Sequence, residues 1–338
     1  MPFSDTRTVS KAHGGPGAEE KIRRKLGLWF KRHGRILPWR QTRDPYAIMV
    51  SEFMLQQTTV AAVTPYFARW MERFPTVAVL AAAEEREVFA LWQGLGYYSR
   101  ARNLHRAARA VMEQHQGKIP RKAETLRDLP GVGGYTSAAI AAFAFDAVEP
   151  VIDANIARVL ARLKNWGHPI DDARGTGFLQ TAATGLLPEK GGRLHNSALM
   201  ELGALICTAR NPRCPDCPVR QACRAVDPGS LPVKRARQKT EDLREFRGFI
   251  FHRGKLWLEE SAGPRWKGLW LLPAVQPEGR KSDHIEIHPI TRFRVTMELF
   301  SGPRRNLRLT GFSPTDLPPM PSPHRRAVAA MLKKRHAH

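Results

Sequence analysis

A glycine-rich turn near the middle of the chain constrains the fold more than any other stretch. The residues Gly131-Val132-Gly133-Gly134 lie between two helical patterns, the second over 135–145. Glycine tolerates positive φ and lets another backbone approach closely. A turn of this kind at a helix N-terminus directs free N–H groups outward, which suits a phosphate. The pattern therefore favours a helical hairpin that binds a nucleic-acid backbone, although the same turn can simply join two helices.

The charge balance points to a polyanionic partner. The 338 residues include 54 lysines and arginines against 31 aspartates and glutamates, a formal net charge of +23. Such an excess favours nucleic acid through counterion release, the alternative being a protein that is merely basic. No apolar stretch is long enough for a membrane span, and residues 1–20 lack an apolar signal core. We therefore expect a cytoplasmic, nucleoid-associated protein without a membrane partner.

The pattern divides the chain into four parts. Residues 1–18 are predicted to be disordered, 19–225 to form an all-α core, 226–245 to be a polar linker, and 246–338 to form a small α+β domain. Asp44-Pro45 is a strong helix start, because aspartate caps a helix and proline fits its first position. The helices are predicted at 19–33, 45–63, 65–73, 84–92, 99–115, 123–128, 135–145, 154–164, 174–184 and 195–206. In the α+β domain, a β-hairpin with Arg253-Gly254 as its turn, two more short strands and a terminal helix are expected.

Two carboxylates have the environments that glycosidic bond cleavage requires. Glu52 has Ile48, Met49 and Leu55 as helical neighbours, so it faces a mostly apolar surface. Desolvation raises a carboxyl pKa, and this suits a general acid. Asp153 precedes a helix and is expected to be the ionised partner in a more polar place. The alternatives are a surface charge for Glu52 and a simple helix cap for Asp153.

The four cysteines of the chain form one loop. Cys207, Cys214, Cys217 and Cys223 follow the spacing C-x6-C-x2-C-x5-C. Four thiolates this close in sequence can converge on one metal centre, and both zinc and iron–sulfur accept such ligands. One short CxxC pair with intermediate gaps favours an iron–sulfur cluster over zinc. Interleaved arginines make the same loop a basic surface that could face DNA.

Taken together, these features resemble the helix-hairpin-helix DNA glycosylases with a 4Fe–4S cluster, and among them the MutY-type adenine DNA glycosylases. The resemblance implies a mainly α helix-hairpin-helix glycosylase fold with a 4Fe–4S loop, plus a small C-terminal α+β domain of MutT/Nudix-like type. The stretches that carry it lie within residues 22–225 and read LPWR, SEFMLQQTTV, LWQGLGYYSRARNL, LPGVGGYTSAAI, VIDANIARVL and ALMELGALIC.

The resemblance implies a repair function and assigns roles to residues. A monomer would bind double-stranded DNA and excise adenine paired with 8-oxoguanine or guanine, after flipping the base out of the stack. Glu52 would protonate the adenine, and Asp153 would stabilise the cationic sugar with Asn155 and Tyr135 beside it. Gln57 and Tyr97 would wedge into the duplex, and Thr58 and Leu95 would lie around the 8-oxoguanine. The implied DNA contacts in the helical core are Arg40, Gln57, Thr58, Leu95, Tyr97, Gly131, Val132 and Gly133.

The residue before the hairpin threonine discriminates between related enzymes. The similar endonuclease III-type enzymes carry a lysine there, which forms a Schiff base with the sugar, and this chain has Tyr135. Without an amine nucleophile, a monofunctional enzyme that uses water is favoured. Two alternatives are an endonuclease III-like pyrimidine glycosylase-lyase and a non-catalytic iron–sulfur DNA-binding protein.

The C-terminal domain departs from the family that it resembles. It lacks a Nudix box of glutamates, so no hydrolase activity is expected there. The family's Phe-Ser-His recognition triplet aligns with Ile290-Thr291-Arg292, which keeps only a hydroxyl at Thr291. Thr291 is therefore the one DNA contact expected in this domain. The domain should discriminate 8-oxoguanine from guanine less strongly than a domain with the family's triplet.

Overall fold

The computed structural model describes residues 16–236, 239–263, 265–277, 279–302 and 309–336. Most of the segment predicted to be disordered, 1–15, lies outside the described residues. Residues 16–18 of that segment are helical, because the first helix begins at Pro16, three residues earlier than predicted. No helix in the described part of the chain is long and apolar enough to cross a membrane.

Twelve α-helices occur in the described residues, and the predicted mainly α core with a C-terminal sheet-containing domain is confirmed. They are α1 Pro16–His33, α2 Pro45–Leu55, α3 Val60–Arg73, α4 Val77–Ala82, α5 Glu85–Trp92, α6 Tyr98–His115, α7 Ala123–Leu126, α8 Gly134–Phe145, α9 Ala154–Leu163, α10 Ala173–Gly185, α11 Gly192–Leu205 and α12 Ser322–His336. Short 3-10 helices lie at Pro38–Arg40, Cys214–Asp216 and Arg220–Ala222.

The predicted helix over 45–63 is wrong in its extent. It begins as expected, with Asp44 accepting hydrogen bonds from the N–H groups of Tyr46 and Ala47. It ends at Leu55, and a turn with Gln57 at φ 56° separates it from α3. Thr59 caps α3 by accepting from the N–H of Ala62. A threonine cap inside an otherwise helical pattern is a weak signal in sequence, because threonine also occurs within helices.

The described residues pack as two compact units. The first comprises the residues up to Glu52, Pro120–Asp128 and Val132–Arg235. Its largest core joins α1, α9, α10 and α11, and three cysteines of the loop pack against that core. The second unit comprises Phe53–Ile119, Leu129–Gly131 and Ala236–His338. The division differs from the predicted boundaries, since α3–α6 group with the C-terminal sheet.

The C-terminal sheet contains six strands. They are β1 Glu241–His252, β2 Lys255–Glu260, β3 Trp270–Leu271, β4 His284–Ile290, β5 Phe293–Ser301 and β6 Thr310–Phe312. Their order is β3-β2-β1-β5-β4, with β6 paired to β2. β1 is parallel to β5 and antiparallel to β2. Because β1 starts at Glu241, the last five residues of the predicted linker belong to the sheet instead.

The predicted hairpin turn is confirmed. His252 pairs with Lys255 across Arg253 and Gly254, which have φ of 49° and 72°. Two successive positive φ values match the right-handed twist of the flanking strands. β4 has no counterpart among the predicted strands, since its alternation includes charged residues and a proline. Helix α12 packs on β4, and its buried alanine, valine and methionine join the core of the sheet.

Candidate active site

Glu52 is a buried acid within the first unit. Its side chain lies on α2 and the residue is 4% exposed. Burial raises the pKa of its carboxyl to about 7, and the nearby charge of Asp153 acts in the same direction. A hydrogen bond from Tyr135 and the charge of Arg40 oppose this rise. The Oε2 atom has no hydrogen-bond partner among the described residues. A carboxyl with this pKa keeps its proton in a substantial fraction of the molecules at neutral pH, and its Oε2 atom is free to bind a ligand.

Asp153 is held at the N-terminus of α9. Its Oδ1 accepts a hydrogen bond of 2.7 Å from the N–H of Ile156, and its Oδ2 accepts one of 2.9 Å from Nδ2 of Asn155. The predicted cap is thus present. Burial raises the pKa of Asp153, and these two donors oppose that rise. Asp153 is half-buried whereas Glu52 is buried, so Asp153 lies in the less buried place of the two. Its predicted role as the ionised partner stays a prediction.

The structure brings the four predicted catalytic side chains together, three through mutual electrostatic contacts and the fourth through a hydrogen bond. Tyr135, in the first turn of α8, donates to Glu52, and its own pKa is raised well above normal by burial and by the charges of Glu52 and Asp153. These electrostatic influences require the three groups to lie near one another. The fourth, Asn155, is bonded directly to Asp153. One acid, one carboxylate and a phenol thus share one partly buried site.

A buried arginine connects this site to the cysteine loop. Arg158 donates to Oδ1 of Asn155 at 2.8 Å and to the carbonyls of Cys207 and Gly203, each at 2.7 Å. One turn later, Arg162 donates to Sγ of Cys207 at 3.3 Å. Neither arginine was predicted from the sequence. The available signal was their i, i+4 spacing on a largely apolar helix.

A third residue that the sequence did not indicate is Glu201 on α11. Both of its carboxylate oxygens bind Arg35, at 2.7 and 2.9 Å, and Arg40 binds one of them at 2.9 Å. Burial alone raises the pKa of Glu201, but these hydrogen bonds outweigh it and lower the pKa to about 2. Arg40 is thus bound to a carboxylate, and its charge also acts on Glu52. Its predicted contact with DNA stays a prediction.

The four thiols fit a shared iron–sulfur group. Burial raises the pKa of Cys217 to about 11, and the charges of Cys207, Cys223 and Cys214 contribute to the rise, so the four lie near one another. In the described part of the chain, no three Cys, His, Asp or Glu side chains are placed to share a single metal ion. Four thiolates are the donor set that 4Fe–4S clusters use.

The hairpin turn joins α7 to α8. Gly131 has φ of 77°, and a Cβ there would lie 2.5 Å from Cβ of Asn103, so both conformation and space require glycine. Val132 is buried, whereas Gly133 caps α8 and is exposed with Gly134. The first N–H groups of α8 are therefore accessible from solvent, as an anion site at a helix N-terminus requires.

The predicted wedge residues lie in the second unit. Gln57 and Tyr97 are exposed, and both have left-handed backbone, with φ of 56° and 49°. Leu95 is buried and Thr58 is partly buried. Thr291 lies at the tip of the β4–β5 hairpin, where its hydroxyl donates to the carbonyl of Ile290 at 2.7 Å.

Comparisons with known proteins agree with the fold. Residues 50–174 match the family model described as HhH-GPD superfamily base excision DNA repair protein. A thermostable thymine-DNA glycosylase structure is 28% identical with a TM-score of 0.55, covering 62% of this chain and 96% of that one. An Endonuclease III–DNA complex is 24% identical with a TM-score of 0.52, covering 61% and 95% respectively, and supports the fold. These matches define the class as a helix-hairpin-helix fold similar to that of base excision DNA repair proteins.

Relatives that are similar in sequence identify one family within this class. An adenine DNA glycosylase of Mycolicibacterium smegmatis is 40% identical over 228 residues, which cover 66% of this chain and 77% of that protein. The adenine DNA glycosylase of Rattus norvegicus is 47% identical over 214 residues, 60% of this chain. The match spans only 41% of the rat protein's length. The chain belongs to the adenine DNA glycosylase family, as its motifs predict.

Proposed function

We propose that this protein is a monofunctional adenine DNA glycosylase, which excises adenine paired with 8-oxoguanine or guanine from double-stranded DNA. The observation that carries the proposal is the buried carboxyl of Glu52. Its pKa is about 7, and it lies near enough to Asp153 to feel that residue's charge. Membership of the adenine DNA glycosylase family supports the same substrate. Two carboxyls in different environments are the arrangement that glycosidic hydrolysis uses.

In the proposed mechanism, the target adenine is flipped out of the duplex and meets Glu52. The carboxyl transfers its proton to a ring nitrogen of the adenine, so the N-glycosidic bond breaks and its electron pair leaves with the base. The free Oε2 atom of Glu52 is available for that contact. Tyr135 orients the acid through its hydrogen bond.

Departure of the base leaves a cationic sugar, which the carboxylate of Asp153 stabilises. Its two hydrogen bonds, from Asn155 and the N–H of Ile156, hold the carboxylate in one orientation. Water then adds to the anomeric carbon, and its proton returns to the Glu52 carboxylate that the first step produced. Tyr135 offers no amine for a Schiff base, so the strand is left intact at an abasic site.

The pH dependence follows from the two carboxyls. Excision should fall tenfold per pH unit above about pH 7, as Glu52 loses its proton. It should also fall in acid, because burial raises the pKa of Asp153 and the carboxylate becomes neutral. Single-turnover rates over roughly pH 4 to 9 test this. A rate that stays constant from pH 7 to 9 would contradict the role of Glu52 as the proton donor.

A panel of duplexes tests the substrate. Adenine opposite 8-oxoguanine, adenine opposite guanine, and adenine opposite thymine are compared with an oxidised pyrimidine opposite guanine. Excision of adenine from the first two only is expected. Release of the oxidised pyrimidine, with adenine left in place, would overturn the assignment in favour of a pyrimidine glycosylase.

The opposing base is proposed to be recognised mainly by the helical residues. Tyr97, Gln57, Thr58 and Leu95 would contact the duplex there, since an exposed aromatic ring can stack on a base. Thr291 would add one contact, and its exposed hairpin position permits this. Replacement of a family histidine by Arg292 favours a phosphate contact over a base contact. We therefore expect a weaker preference for 8-oxoguanine over guanine than an intact recognition triplet would produce.

We also propose that Cys207, Cys214, Cys217 and Cys223 hold a 4Fe–4S cluster. Such a group would supply a rigid, charged anchor for the basic loop around it, and the arginines Arg210, Arg213, Arg220 and Arg224 would then contact phosphates. The protein is proposed to act as a monomer on chromosomal DNA, at the nucleoid in the cytoplasm. Its net charge of +23 supports the DNA partner.

Iron content is the direct check on the cluster. Protein purified under low oxygen should be brown and contain about four irons per chain. Cys217→Ser should lower the iron content and weaken DNA affinity more than it slows excision by the bound protein, because the loop carries arginines and not the acids. Zinc in place of iron, or unchanged affinity with lost chemistry, would contradict this account.

A further inference from the structure

Arg100, on α6, is a buried guanidinium that the proposed chemistry does not use. The residue is 6% exposed. Its guanidinium group lies over the ring of Tyr97, with 5.6 Å between the guanidinium carbon and the ring centroid. Its two terminal nitrogens donate to main-chain carbonyls in two separate segments. The acceptors are Phe53 at 3.2 Å, Met54 at 2.8 Å, Gln56, Leu95 at 3.1 Å and Gly96 at 3.1 Å.

The two segments end in the exposed residues Gln57 and Tyr97. Both have a left-handed backbone, which non-glycine residues adopt only where the surroundings enforce it. Tyr97 is 52% exposed. Each of these residues directly follows a carbonyl that Arg100 binds, Gln56 before Gln57 and Gly96 before Tyr97. The guanidinium therefore fixes the backbone beneath both exposed side chains.

The second of these segments has further support. Trp92 donates from Nε1 to the carbonyl of Gly96 at 3.0 Å, and Tyr66 donates to the carbonyl of Gln93 at 2.9 Å. Gly94 has φ of 107°, and a Cβ there would lie 2.0 Å from the Tyr66 hydroxyl. The segment before Tyr97 is thus held in place independently, and Arg100 joins the turn before Gln57 to it.

We propose that Arg100 is a positioning residue, which holds Gln57 and Tyr97 at a fixed separation so that both side chains enter a distorted duplex together. The inference rests on the proposed function and deepens it, since it concerns how the mispair is engaged before excision. Arginine is required because its planar, forked donors reach two segments at once, whereas lysine presents one compact ammonium group. Arg100 also donates to the carbonyls of Phe53 and Met54, which lie in the last turn of α2, the helix that carries Glu52.

The test compares Arg100→Lys with Arg106→Lys, a matched control at an exposed position of the same helix. The probes are a duplex with a non-hydrolysable 2′-fluoro adenosine opposite 8-oxoguanine and an undamaged duplex of the same sequence. Arg100→Lys should bind the first duplex in preference to the second about tenfold less strongly than the parent does. A loss of that size corresponds to one lost hydrogen bond to a charged group. Arg106→Lys should keep the parent preference.

A second readout separates positioning from simple stability. A 2-aminopurine beside an abasic-site analogue reports unstacking when the protein binds at saturation. Arg100→Lys should give a smaller fluorescence rise than the parent, whatever its melting temperature. Lower thermal stability with an unchanged rise and unchanged preference would overturn the proposal.

One further variant keeps the test decisive. If Arg100→Lys does not fold, Tyr66→Phe removes one support of the same segment and should reduce the fluorescence rise in the same direction, by less. An unchanged rise in Tyr66→Phe would then count against the proposal. Failure of the proposed function would appear separately, as no excision of adenine by the parent protein. The abasic-site fluorescence would still judge the role of Arg100.

Discussion

Glu52→Gln should lower the single-turnover rate of adenine excision by about a thousandfold, within the range that general acid catalysis contributes. Glutamine has nearly the same shape but no proton to transfer. Affinity for a duplex with adenine opposite 8-oxoguanine should stay close to that of the parent. Glu72→Gln, on the exposed side of α3, is the matched control and should leave the rate unchanged. Excision by Glu52→Gln at nearly the parent rate would remove Glu52 from the mechanism.

The same variant should be more stable than the parent above neutral pH. The carboxyl of Glu52 keeps its proton to higher pH in the folded chain than in the unfolded chain, with a pKa of about 7 against 4.5. The contribution of this group to stability is therefore complete below about pH 4.5 and is lost as the pH rises to about 7. The full shift of the Glu52 pKa corresponds to a loss of folding free energy of at most on the order of 3 kcal/mol.

Melting curves at two pH values measure this effect. Glutamine cannot ionise, so Glu52→Gln should melt at a higher temperature than the parent at roughly pH 8 and show little gain near pH 4.5. A gain in melting temperature of similar size at both pH values would mean that ionisation of Glu52 does not destabilise the folded chain. Such a result would undermine the argument from burial.

Asp153→Asn should lower the excision rate by about a hundredfold to a thousandfold, the cost of removing one preorganised electrostatic stabiliser. Asparagine caps helices as well as aspartate does, so α9 should remain folded. The lost quantity is the negative charge that faces the cationic sugar. Single-turnover rates with the mispaired duplex measure it.

Asp172→Asn is the matched control for that variant. Asp172 caps α10 as Asp153 caps α9, accepting a hydrogen bond of 2.7 Å from the N–H of Gly175. Its replacement should change neither the excision rate nor the melting temperature substantially. If Asp172→Asn slowed excision as much as Asp153→Asn, the loss would reflect a change of cap and not a lost charge at the sugar.

Local patterns predicted the parts of the molecule that depend on neighbouring residues. Asp44-Pro45 starts α2, Arg253-Gly254 turns the hairpin, and Glu52, which has apolar helical neighbours, is buried. Each of these outcomes follows from side chains within a few positions of one another. The end of α2 could not be predicted in this way, because Gln57 adopts positive φ without glycine or proline to indicate it.

Long-range contacts explain what the sequence did not predict. Arg35 and Glu201 pair although they are 166 residues apart in the chain. Glu201 lies in an apolar helical stretch that resembles an ordinary core. Arg158 joins Asn155 to the cysteine loop through carbonyls that carry no sequence signal. Asp153 has the predicted hydrogen bonds at its helix start, but its burial depends on how the surrounding helices pack.

The most direct test of the central claim uses one end-labelled duplex with a single adenine opposite 8-oxoguanine. The protein is incubated with it, and the strands are separated with and without hot alkali. The account predicts a full-length strand without alkali and cleavage at the adenine position after alkali, because hydrolysis leaves an intact abasic strand. An adenine that resists alkali after incubation, or a strand already broken without alkali, would contradict a monofunctional adenine glycosylase.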